Sequence, residues 1–347
     1  MTDELKPTAI SRRGLFKLSA GLLAGATGIA TLPKQVLAAP LQGKLATLID
    51  LSLCDGCADK PQPACITSCK QTKNPTIPVP VDPIPSPFPT NIIEDWSKKQ
   101  GVDNRLTPYN RIFVQKAQAT VNGQEKTISI PRRCMHCDNP ACATIGPFSA
   151  NTKDKSGAVV IDQDLCFGGA KCKNVCPWQI PQRQSGVGIY LKVAKEFMGN
   201  GVMYKCDLCI DRLNQGKQPS CVETCPKKAM IIGPRDQIFA EAEKRAQAIG
   251  GHMFGKQENG GTSTLYVSPV PFKELEQNLS PASVSADPKK GQPMLKPGVK
   301  RKMAESDGMG KAVLAAPAIG LVAGLVGAFS KLSQRKADNA GKENQQQ

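Results

Sequence analysis

Fourteen cysteines stand in four groups along the 347 residues. The first group is Cys54, Cys57, Cys65 and Cys69 in "CDGCADKPQPACITSC", and the second is Cys134, Cys137 and Cys142 in "CMHCDNPACATIGP". Cys166, Cys172 and Cys176 in "CFGGAKCKNVCP" make the third, and Cys206, Cys209, Cys221 and Cys225 in "CDLCIDRLNQGKQPSCVETCP" the fourth. Each group opens with a close pair or its remnant. Each closes at a cysteine, or its remnant, separated by three residues from another cysteine and usually before proline. Paired CxxC motifs also hold zinc, and a zinc module with basic surface would be a candidate nucleic-acid binder. A secreted disulfide scaffold is the other alternative. Neither needs repeated C-x3-C-P endings, whereas the ferredoxin-type loop around a 4Fe-4S cubane has them: a short loop supplies three thiolates, a fourth arrives from elsewhere, and proline ends the loop.

The third group carries one anomaly. On the spacing C-x2-C-x2-C-x3-C-P, Cys166, Cys172, Cys176 and Pro177 fall in place, but the second cysteine position holds Gly169.

The elements that must position these loops are short. "KLATLIDLSL" (44–53) and "GAVVIDQDL" (157–165) read as strands that deliver the first and third groups. An extended Pro-rich insertion fills 74–91, with seven prolines from Pro75 to Pro89. After the last cysteines, Ile238, Phe239, Ala242, Ala246 and Ile249 recur at helical spacing between Asp236 and Gly250-Gly251, which predicts an amphipathic packing helix. "TSTLYVSPVPF" reads as a strand, and 276–310 as a Pro-, Lys- and Ser-rich linker. Aromatic residues make up only 5% of the chain and prolines number 28, which argues against a large conventional core and for a fold held together by its ligands.

The two ends suggest targeting. Arg12 and Arg13 precede a mild apolar run and small residues near Ala38, the pattern of a twin-arginine signal over 1–38. From Ala312 to Ser330 run nineteen uncharged residues, which predicts a transmembrane anchor over 311–331 and a cytoplasmic tail over 332–347. Gly320 and Gly324 would form a close-packing face on that helix.

With these residues in view, the sequence resembles the four-cluster iron-sulfur subunits of respiratory molybdenum or tungsten oxidoreductases, formate dehydrogenases above all. It is also similar to the corresponding subunit of membrane-anchored nickel-iron hydrogenases of the hydrogenase-2 type. The resemblance covers 44–275 and is carried by the four cysteine groups, "YKCDLCIDRLNQGKQPSCVETCP" and "GGTSTLYV". It implies an α+β fold of two ferredoxin-like dicluster halves with loop-rich insertions, together spanning a polyferredoxin domain over 39–275, plus the C-terminal transmembrane helix. The family rule pairs the first group with the fourth and the second with the third. Carried over, it gives one cluster on Cys54, Cys57, Cys65 and Cys225, a second on Cys69, Cys206, Cys209 and Cys221, and a third on Cys134, Cys137, Cys142 and Cys176. A fourth would need Gly146, Cys166, Gly169 and Cys172, and is expected to be vacated. The first group departs from the family in placing seven residues between Cys57 and Cys65 where two are usual. Cys166 and Cys172 are left as free thiols, a disulfide, or ligands to something else.

The expected function is single-electron transfer through three 4Fe-4S clusters, between a periplasmic catalytic subunit of formate dehydrogenase or nickel-iron hydrogenase type and an integral membrane, quinone-linked subunit or a multihaem cytochrome. Service to a sulfur-compound reductase is the alternative. The formal charge of +16 is offset in part by the clusters, each bringing about two negative charges, and needs no nucleic-acid partner. No residue set supports independent catalysis: His136 and His252 are the only histidines, and no phosphate-binding glycine loop is present. His136, inside "CMHC", either shapes a cluster's surroundings or is a structural histidine, and Trp178 either shields a cluster or is core. The expected location is the periplasmic face of the cytoplasmic membrane.

Overall fold

The computed structural model describes residues 43–86, 91–193, 201–283 and 291–301. In chain order its elements are β1 (Leu45–Asp50), α1 (Ala64–Lys73), β2 (Phe113–Val121), β3 (Gln124–Arg132), α2 (Ala141–Thr144), β4 (Asn151–Lys153), β5 (Val159–Ile161), α3 (Lys171–Val175), β6 (Gln182–Gln184) and α4 (Tyr190–Val193). They continue with β7 (Val202–Tyr204), α5 (Ile210–Asn214), α6 (Ser220–Glu223), β8 (Met230–Pro234), α7 (Arg235–Ala248), β9 (His252–Phe254), β10 (Thr264–Ser268) and α8 (Phe272–Gln277).

A four-stranded mixed sheet in the order β8-β1-β10-β9 forms the frame. Strand β1 is antiparallel to β8, with Ile49 opposite Met230, and parallel to β10, with Thr47 opposite Thr264. All six residues of β1 are buried, because both faces of the sheet are covered. On one face Ala46 and Leu48 meet Ile238, Ala242 and Ala246 of α7, whose spacing of four puts them on one stripe. Phe239 instead lies half-buried under the Arg235 guanidinium, 4.0 Å from its ring centre, and Ile249 is exposed past the helix end. The amides of Gly250 and Gly251 close α7 on the carbonyls of Gln247 and Ala246, with Gly250 in the left-handed region at φ +58°. On the other face Leu45, Ile49 and Tyr266 belong to the core that holds most of the cysteines.

The second and third cysteine groups are nested in sequence between α1 and β7. The β2-β3 hairpin leads into them, turning at Asn122 and Gly123, both at positive φ (53° and 77°), the geometry that suits the twist of paired strands. In space α1 packs on α6 and α2 on α3, so the first group meets the fourth and the second meets the third.

Two expectations require correction. No helix among the described residues is long and apolar enough to cross a membrane. The longest, α7, has 14 residues, roughly 21 Å at 1.5 Å per residue against a hydrocarbon layer of about 30 Å, and it is charged on its outer face. Among the described residues the architecture is therefore α+β with small sheets and no membrane-crossing helix; the anchor expected at 311–331 lies outside the described residues, as does the 1–38 signal. The composition of 276–310 also misleads. Leu295 is buried, and its carbonyl accepts the Trp178 indole N–H at 2.7 Å, while those of Pro293 and Met294 accept from Gln115 and Arg132.

Close backbone approaches leave little room in the inserted half. A Cβ on Gly201, at φ +121°, would lie 2.1 Å from the Gln184 carbonyl oxygen across the β6-β7 pair. Gly201→Ala is expected to cost about 2–4 kcal/mol, read as a lower calorimetric melting temperature. Gly101→Ala, with nothing within 4 Å of the added carbon, serves as the unchanged control.

Candidate iron-sulfur sites

The cysteine loops share a local geometry that the sequence encodes in part. In "CDGC" the Asp55 carboxylate accepts the Cys57 amide at 2.8 Å, and in "CDLC" Asp207 accepts the Cys209 amide at 2.9 Å. Such Asx turns reverse the backbone over the loop. Cys57, Cys209 and His136 each sit at positive φ (54°, 50° and 47°), which curls the loops around their sulfurs.

Cys54, Cys57, Cys65 and Cys225 line one small cavity, with Pro131 and Met230 in its wall. Cys69, Cys206, Cys209 and Cys221 line a second, together with Lys73, Arg111 and Arg133. The helices explain the exchange of ligands. Cys65 and Cys69 are four apart on α1, and Cys221 and Cys225 are four apart on α6 and the turn after it, so each helix presents one thiol to each cavity. The two are tied where they cross by a 3.0 Å hydrogen bond between Thr224 and Ser68. Cys134, Cys137, Cys142 and Cys176 form a third group: the charges of Cys176, Cys134 and Cys137 all act on the Cys142 thiol.

The same exchange operates between α2 and α3, but there the second cavity lacks half its thiols. Gly146, Cys166, Gly169 and Cys172 line an open space along with Phe148, Phe167 and Met203. Cys166 and Cys172 are buried free thiols. A Cβ on Gly169 would meet nothing within 4 Å, whereas one on Gly146 would lie 3.1 Å from the Asn151 Cβ. Asn151 thus fills the place of a side chain at 146, anchored by its 2.8 Å bond to the Cys142 carbonyl.

Burial dominates the thiols. It pushes Cys54 up to about 11 and Cys137, Cys172 and Cys221 up to about 12, with neighbouring thiolates adding to the shift. Against this stand buried cations. Arg133 lies 3.6 Å from Cys206 Sγ and also donates to Thr47 of β1. Burial disfavours its charge, but the Cys206 and Cys221 thiolates outweigh that and keep it protonated. Lys205 is likewise disfavoured by burial and held protonated by Cys134, Cys142 and Cys206. Buried guanidinium nitrogens of Arg133 and Arg111 have no hydrogen-bond partner, as donors facing an anionic group would. Four thiols per cavity, cations at the wall and amides aimed at sulfur fit a thiolate-ligated cubane. Among the described residues no group of three or more His, Cys, Asp or Glu side chains is arranged to hold a single metal ion.

Sequence reading missed Arg133, Lys205 and Asp207. The available signal was a basic residue directly before the first cysteine in "RRCMHC" and "YKCDLC", and the acid directly after it in the latter. Trp178, by contrast, is a core residue, buried with its indole edge-on to Phe254 at 6.3 Å.

Residues 126–235 match the 4Fe-4S dicluster domain family. Over 249 residues the chain is 31% identical to a subunit of the sulfite dehydrogenase of Allochromatium vinosum, covering 70% of this chain and 89% of that protein. It is 29% identical over 279 residues to the hydrogenase-2 operon protein HybA of Escherichia coli O157:H7, covering 68% of this chain and 74% of that protein. It is 39% identical over 105 residues to a component of the anaerobic dimethyl sulfoxide reductase of Escherichia coli strain K12, covering 30% and 45%. This protein belongs to the family of ferredoxin-type iron-sulfur subunits of oxidoreductases. It is a 4Fe-4S electron-transfer protein, the non-catalytic member of such a complex.

Asp207 offers a test of the site's electrostatics. Burial pushes its carboxyl up, but Lys73 at 2.7 Å and Arg111 at 3.9 Å, with the Cys209 amide, outweigh that and hold it below its ordinary value of 3.8. A lowered carboxyl contributes stability above the unfolded value, and loses it as pH falls through the folded one. Asp207→Asn is expected to cost about 3 kcal/mol at neutral pH. The difference from wild type should shrink below pH 3.8 in calorimetric melts across that range.

Proposed function

We propose that this chain conducts single electrons through three 4Fe-4S clusters, held by Cys54, Cys57, Cys65 and Cys225; by Cys69, Cys206, Cys209 and Cys221; and by Cys134, Cys137, Cys142 and Cys176, with the fourth position vacated. The observation that carries this reading is that Cys54, Cys57, Cys65 and Cys225 line one cavity and Cys69, Cys206, Cys209 and Cys221 another, with Cys134, Cys137 and Cys176 acting together on Cys142, while both glycines line the cavity of Cys166 and Cys172. When bound, each cluster supplies a one-electron couple with little nuclear rearrangement. The protein's own residues supply the thiolates, exclude water by burial, and set the charge balance through Arg133, Lys205 and Lys73.

The chain is read as an exported protein, sent to the periplasm by its twin-arginine segment. There it would accept or deliver electrons for a catalytic subunit of formate dehydrogenase or nickel-iron hydrogenase type, and pass them to a quinone-linked membrane subunit or a multihaem cytochrome. The likeness to HybA favours the hydrogenase arm. A second reading, service to an oxidoreductase acting on a sulfur compound, is favoured by the likeness to the sulfite dehydrogenase subunit over most of that protein. Co-purification from the native host, followed by bleaching of the clusters with hydrogen, formate or sulfite as donor, separates these arms.

Cluster number is tested on anaerobically purified chain, where about twelve irons and twelve sulfides are expected. Cys65→Ala should remove about four of each, and no loss would exclude Cys65 as a ligand. Conversely, Gly169→Cys combined with Gly146→Cys and Asn151→Ala should raise both toward about sixteen, because the cavity retains two thiols and open space at 169. A count that stays near twelve would mean the cavity no longer has a cluster's shape.

A further inference from the structure

One residue of the second cysteine group reaches both halves of the molecule. His136 is fully buried, and its backbone amide lies 3.5 Å from Cys134 Sγ, a ligand proposed for the third cluster. Its ring faces the other way. Nδ1 accepts the Val159 amide at 2.9 Å, so that nitrogen carries no proton, and Nε2 lies 3.6 Å from Cys206 Sγ, a ligand proposed for the second cluster. A neutral ring with Nδ1 bare has its single proton on Nε2, aimed at the sulfur.

Strand β5 holds this arrangement. The Val159 amide fixes the histidine tautomer, while the Val159 carbonyl accepts from the Lys205 ammonium, which also bonds the Cys206 carbonyl at 3.1 Å. Arg133 brings a second donor to the Cys206 sulfur. Hydrogen bonds to a cluster sulfur and nearby positive charge favour the reduced, more negative state.

We propose that His136 is a positioning residue for electron flow: through its Nε2–H bond to Cys206 it raises the reduction potential of the cluster on Cys69, Cys206, Cys209 and Cys221, at the point where the two halves meet. This rests on the ligand sets proposed above.

The chain has only two histidines, and His252 is exposed on β9. Protein carrying histidine 15N-labelled in the ring only, and reduced by one electron, should show histidine-nitrogen modulation in pulsed electron paramagnetic resonance. The signal should persist in His252→Gln and vanish in His136→Phe. In a potentiometric titration, His136→Phe should lower the reduced fraction of one cluster about tenfold at fixed poise, a shift of about 59 mV for a one-electron couple. His136→Gln, which can still donate, should recover part of it. A full iron complement with no histidine coupling in the wild type, or with potentials unchanged in His136→Phe, overturns the proposal. If His136→Phe does not load iron, the labelled wild type decides alone. Failure of the underlying ligand assignment shows separately, as wild-type iron well short of about twelve.

Discussion

A thiol ligates iron only as a thiolate, yet most of the sulfurs here lie where burial resists that charge. Cys65, Cys69, Cys142 and Cys221 are all pushed above their ordinary value by desolvation first, and by neighbouring thiolates of the same and the adjoining cavity. The fold answers with buried cations at the cavity walls. Arg133 and Lys205 precede cysteines directly in the chain, so the segment that delivers a ligand also delivers its counter-charge. Lys73, on α1 four residues after Cys69, extends the same logic and is itself balanced by Asp207. Iron loading and burial of these charges are therefore one event, and a chain with few aromatics is held together by it.

The second device is the interval of four. On α1 and on α6 with its following turn, two cysteines share a helix face and divide between two cavities, so neither cavity can be completed by one segment. This ties the first group to the fourth across more than a hundred residues of inserted chain. In the inserted half the same geometry survives without its chemistry. At Gly146 an added side chain would crowd Asn151, whereas at Gly169 it would meet open space. The cavity is thus half closed, on the side of α2.

The two halves meet through short strands. β3 carries Arg132 and Arg133 into the second cysteine group, and Arg133 reaches back to Thr47 on β1 of the main sheet. β5, three residues long, uses both polar groups of the Val159 backbone on residues beside the cysteines. The C-terminal stretch 291–301 crosses the same region, with Leu295 accepting the Trp178 indole. Few regular elements are needed because the contacts are made by side chains and single peptide groups.

By itself the sequence determined the chemistry: thiol type, spacing and repetition identify iron-sulfur loops, because a cubane imposes short, fixed intervals on the segment that wraps it. It also determined β1, α7 and β10, whose apolar patterns are local. Which cysteine meets which came from resemblance to a family, since spacing within a loop says nothing about the loop it crosses to. Only the tertiary structure decided what surrounds the sulfurs. Arg133, Lys205 and His136 lie next to cysteines in sequence, but their targets belong to other groups, as with His136 and Cys206 at 3.6 Å. The buried course of 291–301 was likewise hidden, because its partners Trp178, Gln115 and Arg132 are more than a hundred residues away and its composition reads as linker. Local pattern encodes what a segment can do alone; burial and counter-charge are properties of the assembled interior, and no single segment carries them.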